Sequence, residues 1–161
     1  MTARQPASSP VSVPDAPAMR TLGVSVASVC RAGDVVLLGG PLGAGKTTFT
    51  QGFAAGLGVA GPVTSPTFVI ARVHRSVAHG PDLVHVDAYR LGSLAELDDL
   101  DLDASLAESV TVVEWGAQHA EYWGSEPIIV TIERDAAPQP GTLDVTSETR
   151  LVTVDWPEGR P

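Results

Sequence analysis

The apolar residues of this chain fall into short runs bounded by glycine, proline and acidic residues, a pattern typical of buried strands that alternate with helices and turns. Strands are predicted at residues 35–39, 67–73, 83–87, 110–114, 128–133, 143–145 and 151–154, the last two forming a hairpin. Helices are predicted for a stripe with Leu22, Val26 and Val29 that ends near residues 31–33 and for residues 46–57. An acidic segment at 94–106 is predicted to form a pair of helices or one helix with a break. This order indicates an α/β fold in which helices flank a mixed β-sheet.

The length of 161 residues suits a single domain. Four prolines among serine and alanine predict that residues 1–18 form a disordered tail, because proline removes backbone donors and stops helices. We therefore expect the domain at residues 19–156 and a C-terminal tail at 157–161. The sequence has no apolar run of about 18 residues and no apolar N-terminal segment, so we expect a cytoplasmic protein that does not contact membranes.

The composition argues against several classes of function. Ten basic and 19 acidic residues leave a net charge of −9, which disfavours direct binding of nucleic acid. The single cysteine, Cys30, cannot form an internal disulfide or a multi-cysteine metal site, and we expect it to be a small buried apolar residue. Asparagine is absent and Lys46 is the only lysine, so the guanine-reading Asn-Lys-x-Asp motif of Ras-type GTPases is missing.

A glycine-rich segment carries the strongest chemical signal. It lies between an apolar run and a predicted helix, and it matches the pattern G-x-x-x-x-G-K-[ST] with Gly40, Pro41, Leu42, Gly43, Ala44, Gly45, Lys46 and Thr47. Glycines let backbone N–H groups encircle a phosphate, and the helix directs its positive end at that anion. Lys46 can reach the outer phosphates, and the Thr47 hydroxyl can bind a bridging Mg²⁺. The sequence therefore predicts a P-loop NTPase domain.

A P-loop enzyme also needs an acid at the end of a neighbouring strand to hold the metal ion or its water. Asp87, Glu114 and Glu133 each end an apolar run, and spacing alone does not rank them. The four histidines show no metal-ligand spacing, and His85 between two valines is interpreted as an ordinary strand residue.

Several motifs, in their order and spacing, resemble the bacterial TsaE family of tRNA threonylcarbamoyladenosine biosynthesis ATPases. The resemblance covers about residues 19–134. It rests on the glycine-rich segment followed by Thr48-Phe49, on Ser65-Pro66-Thr67-Phe68, on His85-Val86-Asp87-Ala88-Tyr89-Arg90 and on Val113-Glu114-Trp115. The Asp-x-Tyr-Arg and Glu-Trp pieces are far more specific than the glycine-rich segment alone.

The resemblance implies a small P-loop α/β domain whose residues 40–48 hold ATP and Mg²⁺. It implies that Thr67 lies near the γ-phosphate in a switch-like segment, and that Trp115 lies beside the nucleotide. Asp87 would be the active-site acid, and Glu114 would complete the metal or water shell. Lys46, Asp87 and Glu114 are thus the candidate catalytic residues, and Thr47, Asp87 and Glu114 are the candidate metal ligands.

The resemblance also implies partners, namely the sugar-kinase-like threonylcarbamoyl transferase subunit and its paralogue, which would hold the tRNA. Two alternatives stay open. A small-molecule P-loop kinase would need an arginine-rich lid, whereas the arginines at 72, 75, 90, 134 and 150 are scattered. A nucleotide-gated binding module with negligible turnover would use the same residues as an ATPase. Because no arginine-rich segment can complete a transition-state clamp in cis, we expect slow hydrolysis that partners stimulate.

Overall fold

A mixed sheet of seven strands organises the part of the chain that the structure describes. The structure is a computed structural model, and it describes residues 8–64, 71–88, 103–124, 126–134 and 148–160. The strands are β1 (Val11–Val13), β2 (Val35–Gly39), β3 (Ala71–His74), β4 (Asp82–Asp87), β5 (Ser109–Glu114), β6 (Ile128–Arg134) and β7 (Arg150–Asp155). Their order is β1-β7-β6-β2-β5-β4-β3, with β6, β2, β5 and β4 parallel and the outer strands antiparallel. The predicted mixed α/β sheet is confirmed.

Helical segments cover both faces of this sheet. The helices are α1 (Ala16–Ala27), α2 (Lys46–Leu57) and the short α3 (Asp103–Leu106), and a 3₁₀ helix spans Gly116–Trp123. α1 and α2 share one apolar core with the facing side chains of β2, β5 and β6. The 3₁₀ helix covers the opposite face, where Trp123 joins a second core with residues of β2, β4 and β5.

α1 and α2 approach each other closely because glycines lie where they cross. A Cβ atom added at Gly52 of α2 would lie 2.0 Å from the Arg20 carbonyl oxygen, and one at Gly23 of α1 would lie 2.3 Å from that of Phe49. Phe49 and Phe53 of α2 are fully buried against the sheet. This packing holds the first turn of α2, and therefore Lys46, at the edge where the parallel strands end.

The sequence predicted a disordered tail at residues 1–18, but residues 11–18 are part of the fold. β1 pairs with β7, and Val13 is buried in the core. Asp15 caps α1 by accepting a hydrogen bond of 2.8 Å from the Ala18 N–H. Pro17 lies in the first turn, where a missing N–H leaves no intrahelical bond unmade. The prolines that suggested disorder therefore suit the start of a helix.

Two other boundaries differ from the sequence predictions. α1 ends at Ala27 rather than near residues 31–33. β7 pairs along one edge with β1 and along the other with β6, whereas the sequence predicted a hairpin of this strand with residues 143–145. That strand, at residues 143–145, lies outside the described residues, as do residues 67–70 of the second predicted strand and 94–102 of the acidic segment. α2 spans residues 46–57 as predicted.

Candidate nucleotide site

The register of three parallel strands brings the loop and two acids to one edge of the sheet. Leu38 of β2 pairs with Glu114 of β5, and Glu114 pairs with Asp87 of β4. The glycine-rich loop, residues 40–47, leaves β2 at this same edge. We call this the carboxyl edge, because β2, β5 and β4 all end there, and the opposite one the amino edge. Parallel α/β sheets bind ligands outside the carboxyl ends of their strands.

The loop adopts a backbone path that its glycines permit. Gly40, Gly43 and Gly45 have φ angles of +145°, +74° and +111°, values that residues with a Cβ atom rarely adopt. A Cβ atom at Gly40 would also lie 2.4 Å from the Ile132 carbonyl oxygen of β6. The loop is closed by a hydrogen bond of 3.1 Å from the Ala44 N–H to the Pro41 carbonyl. Leu42 projects outward at the loop tip with 82% of its surface exposed.

Lys46 is buried at the start of α2 with its ammonium inside the loop. Its Nζ donates to the carbonyl oxygens of Gly40 and Pro41, both at 2.9 Å, and lies 4.0 Å from the centre of the Trp115 ring. Burial lowers the pKa of Lys46, while the negative charges of Glu114 and Asp87 oppose that shift. The two strand-end acids therefore act electrostatically on the loop lysine.

Thr47 and Glu114 meet across the carboxyl edge. The Thr47 hydroxyl donates to Oε1 of Glu114 at 3.3 Å, a contact between residues 67 positions apart in the sequence. Glu114 is buried with 3% of its surface exposed. Hydroxyl and carboxylate oxygens are the hard ligands that Mg²⁺ prefers, so this donor set fits the metal. Across the described ranges, no group of three or more His, Cys, Asp or Glu side chains is placed to hold a metal ion.

His85 is a member of the site that the sequence interpretation missed. Its ring is fully buried, and Nε2 lies 3.3 Å from Oε1 of Glu114, the oxygen that also receives Thr47. The signal was a histidine inside an apolar strand, two residues before the acid that ends it. His74 lies nearby on β3, and burial, followed by His85 and Arg72, lowers its pKa. His85 thus fixes one side of the Glu114 carboxylate.

Trp115 and Glu133 have different surroundings. Trp115 has a φ of +62°, its N–H donates to the Leu38 carbonyl at 3.0 Å, and its ring packs on Lys46. A positive φ in a bulky residue is costly and is typical of functional segments. Glu133, by contrast, is exposed on β6 opposite Leu151 of β7. The structure therefore separates Glu133 from the acids beside the loop.

Arginines that are scattered in the sequence meet beside the loop. Arg134 of β6 lies opposite Arg150 of β7, and both donate to loop carbonyls. Thr48 follows the loop and borders a cavity of about 210 Å³ that Met19, Ala16 and Arg150 also line. Thr67, with Ser65 and Pro66, lies outside the described residues, so its expected position near a γ-phosphate stays a prediction.

Comparison with known proteins identifies the family of this chain. The sequence model of the family described as "Threonylcarbamoyl adenosine biosynthesis protein TsaE" matches residues 13–142. The chain belongs to the TsaE family. A TsaE protein of Streptomyces coelicolor is 56% identical over 84% of this chain and 88% of its own length. One of Mycobacterium tuberculosis is 46% identical over 84% of this chain and 80% of its own length.

Among solved structures, YdiB of Bacillus subtilis has a similar fold. It superposes with a TM-score of 0.70 at 27% sequence identity, and the match covers 94% of this chain and 88% of that one. The TsaE family match begins at residue 13, the last residue of β1. Every helix among the described residues is too short or too polar to cross a membrane.

Proposed function

We propose that this TsaE protein binds ATP with Mg²⁺ at the glycine-rich loop and hydrolyses it, in support of threonylcarbamoyladenosine formation on tRNA. The observation that carries the proposal is the contact between Thr47 and Glu114 at the carboxyl edge. A metal ion that bridges two phosphates needs a loop hydroxyl and a strand-end carboxylate close together. Family membership supports the pathway.

In this proposal the loop and Lys46 hold the phosphates. Backbone N–H groups of the loop and the N-terminus of α2 attract the anion. Lys46 has three donors, so its ammonium can exchange the carbonyls of Gly40 and Pro41 for phosphate oxygens. The cavity beside Thr48 has an apolar wall of Met19 and Ala16 and receives the nucleoside. Trp115 keeps the Lys46 ammonium directed into the loop.

The acids act on the metal ion and the attacking water. Thr47, Glu114 and Asp87 would hold Mg²⁺ through their oxygen atoms, directly or through water, and the ion would neutralise charge that develops on the phosphates. The carboxylates would also orient the water molecule that attacks. His85 restricts the Glu114 side chain, which lowers the cost of holding it in one position.

The net charge of −9 favours partner proteins, rather than this chain, as the tRNA-binding surface. We propose that the partners are the sugar-kinase-like threonylcarbamoyl transferase subunit and its paralogue, and that all act in the cytoplasm. Titration with labelled tRNA at physiological salt should show no binding by the isolated chain. Micromolar binding that weakens steeply with added salt would contradict this division of roles.

Phosphate release from ATP and a pull-down with the transferase subunits test the proposal together. We expect slow release by the isolated chain, faster release with the subunits, and capture that differs between ATP and ADP. Binding of ATP with no release, alone or with the subunits, would favour a nucleotide-gated binding module. Absence of nucleotide binding would refute the proposed site.

A further inference from the structure

Two arginines from the C-terminal strands lie against the outer side of the glycine-rich loop. Arg134 ends β6, Arg150 begins β7, and the two residues face each other in the antiparallel pair. Directly opposed residues of such a pair project their side chains from the same face of the sheet. The strand register therefore places the two guanidinium groups on the same side of the sheet, next to the glycine-rich loop.

Both guanidinium groups contact carbonyl oxygens of the loop. Nη2 of Arg134 donates to the carbonyls of Leu42 and Gly43, at 3.3 and 3.4 Å. Nε of Arg150 donates to the carbonyl of Ala44 at 3.2 Å, and its Nη1 donates to the Thr149 carbonyl at 3.2 Å. A Cβ atom added at Gly43 would lie 2.8 Å from Nη2 of Arg134, so glycine leaves room for this contact. Three consecutive loop carbonyls thus point to arginine.

The direction of these carbonyls determines where the loop N–H groups point. The C=O of one residue and the N–H of the next belong to one planar trans peptide unit and point in opposite directions. The Leu42 and Ala44 carbonyls point outward to the arginines. The N–H groups of Gly43 and Gly45 therefore point to the opposite side of the loop, away from the arginines. The remaining N–H of the three, that of Ala44, is used within the loop by Pro41. The arginines therefore orient the donors that an anion would meet.

We propose that Arg134 and Arg150 are positioning residues that hold the loop amides ready for the phosphates of the nucleotide. The inference rests on the proposed nucleotide site. Arginine suits the role because its planar guanidinium keeps its charge and offers several donors in a fixed geometry. Both groups donate to carbonyls of the loop and add positive potential beside it, and Arg150 also borders the cavity proposed for the nucleoside. Orientation in advance reduces the ordering cost of binding.

The test measures the dissociation constant of Mg²⁺–ADP by calorimetry for Arg134→Gln, Arg150→Gln and the double variant. We expect about a threefold to tenfold weaker affinity for each single variant and a larger loss for the double one. The kcat at saturating ATP should change by less than about twofold, because bound phosphates restore the amide orientation. Arg134→Lys and Arg150→Lys should recover part of the affinity, since they keep charge but not the planar group.

Arg31→Gln is the matched control, because Arg31 is exposed at the amino edge and its loss changes net charge equally. Its ADP affinity should equal that of the unaltered protein. Unchanged ADP affinity in the double variant, with the unaltered protein binding ADP normally, would overturn this inference alone. A fall in kcat without a change in affinity would also overturn it, since that result indicates contact with the transition state. Failure of the unaltered protein to bind ADP would refute the proposed site itself, and the lysine variants distinguish lost positioning from lost folding.

Discussion

The two edges of the parallel strands both carry charged residues, but they use them differently. At the amino edge, Asp34 pairs with Arg160, and Asp82 pairs with Arg75 at 2.8 Å. At the carboxyl edge, Glu114 is buried and meets a hydroxyl, a histidine and the field of Lys46. Carboxylates that meet arginine near the surface serve local stability, and their contribution is small. Carboxylates buried beside a lysine and a hydroxyl are arranged for a ligand, a pattern associated with function.

The strand β4 contains this contrast within six residues. Asp82 at its start accepts from the Ser76 N–H and from Arg75, and these hydrogen bonds lower its pKa. Asp87 at its end acts on the Lys46 ammonium beside the loop. The same residue type thus has a structural role at one end of the strand and a proposed chemical role at the other, because the loop leaves the sheet at only one edge.

Lys46→Ala gives the largest effect expected at the carboxyl edge. Loss of the ammonium from the loop should reduce ATP turnover by at least about 100-fold, equivalent to roughly 2.7 kcal/mol of barrier, and weaken nucleotide binding. The fold should persist, since the Lys46 ammonium contacts loop carbonyls and the Trp115 ring at the site rather than the apolar core. Phosphate release and circular dichroism check the two parts. A folded variant with unchanged hydrolysis would contradict the proposed role of the loop.

Substitutions of the three strand-end acids should lower activity to different extents, according to where each acid lies. Glu114→Gln and Asp87→Asn keep shape but remove charge, and each should lower kcat by more than about tenfold, or roughly 1.4 kcal/mol. Glu133→Gln is the control, because Glu133 is exposed and projects from the face of β6 opposite to its neighbours Ile132 and Arg134, which contact the loop, and its activity should stay near that of the unaltered protein. The measurement is steady-state hydrolysis over a range of Mg²⁺ concentrations. Equal losses at all three positions would refute the assignment.

Variants of His85 test whether its contact with Glu114 positions that carboxylate. His85→Leu removes the contact with Oε1 and should lower kcat about fivefold and raise the Mg²⁺ concentration needed for half activity. His85→Gln can still donate toward Glu114 and should stay within about twofold of the unaltered protein. Equal losses in both variants, at equal melting temperature, would show that the ring packs there without positioning the acid.

Arg160→Gln tests the amino edge. It removes the ion pair with Asp34 and a hydrogen bond of 2.9 Å to the Val29 carbonyl, which should cost about 1 kcal/mol of unfolding free energy. The melting temperature should fall by about 2–4 °C for a chain of this size. ADP affinity and kcat should not change. A loss of nucleotide binding without a loss of stability would remove the distinction between the edges.

A change at Cys30 should have the smallest effect on activity. Burial and the nearby Asp34 raise its pKa from 9.0 to about 12, while Arg160 acts in the opposite direction. The folded state therefore keeps the thiol proton where the unfolded state loses it, so this contribution to stability is present below about pH 9 and is lost as pH rises toward 12. Alkylation by iodoacetamide at pH 8.5 should be more than about tenfold slower in the folded chain than in urea. Equal rates would show that the thiol is not protected.

Local patterns of the sequence were sufficient to predict several elements. β2, β4, β5, β6 and α2 follow from apolar runs and from a glycine-rich segment whose residue types specify its own turn. The segment also predicted the candidate lysine and hydroxyl, because their roles depend on neighbours within a few positions. β1 was not predicted, since a three-residue strand at the edge of a sheet is stabilised by its partner β7 and not by its own composition.

The relations between distant segments were decided by the tertiary structure. The sequence contained three equivalent strand-end acids, and the strand order placed Asp87 and Glu114 beside the loop while leaving Glu133 exposed on β6. The contacts of Glu114 with His85 and of Arg150 with the loop join residues 29 and 106 positions apart. Such contacts depend on strand order and register, which arise from packing of the whole core rather than from local preference. The sequence by itself therefore determined the loop, and the sheet determined which side chains surround it.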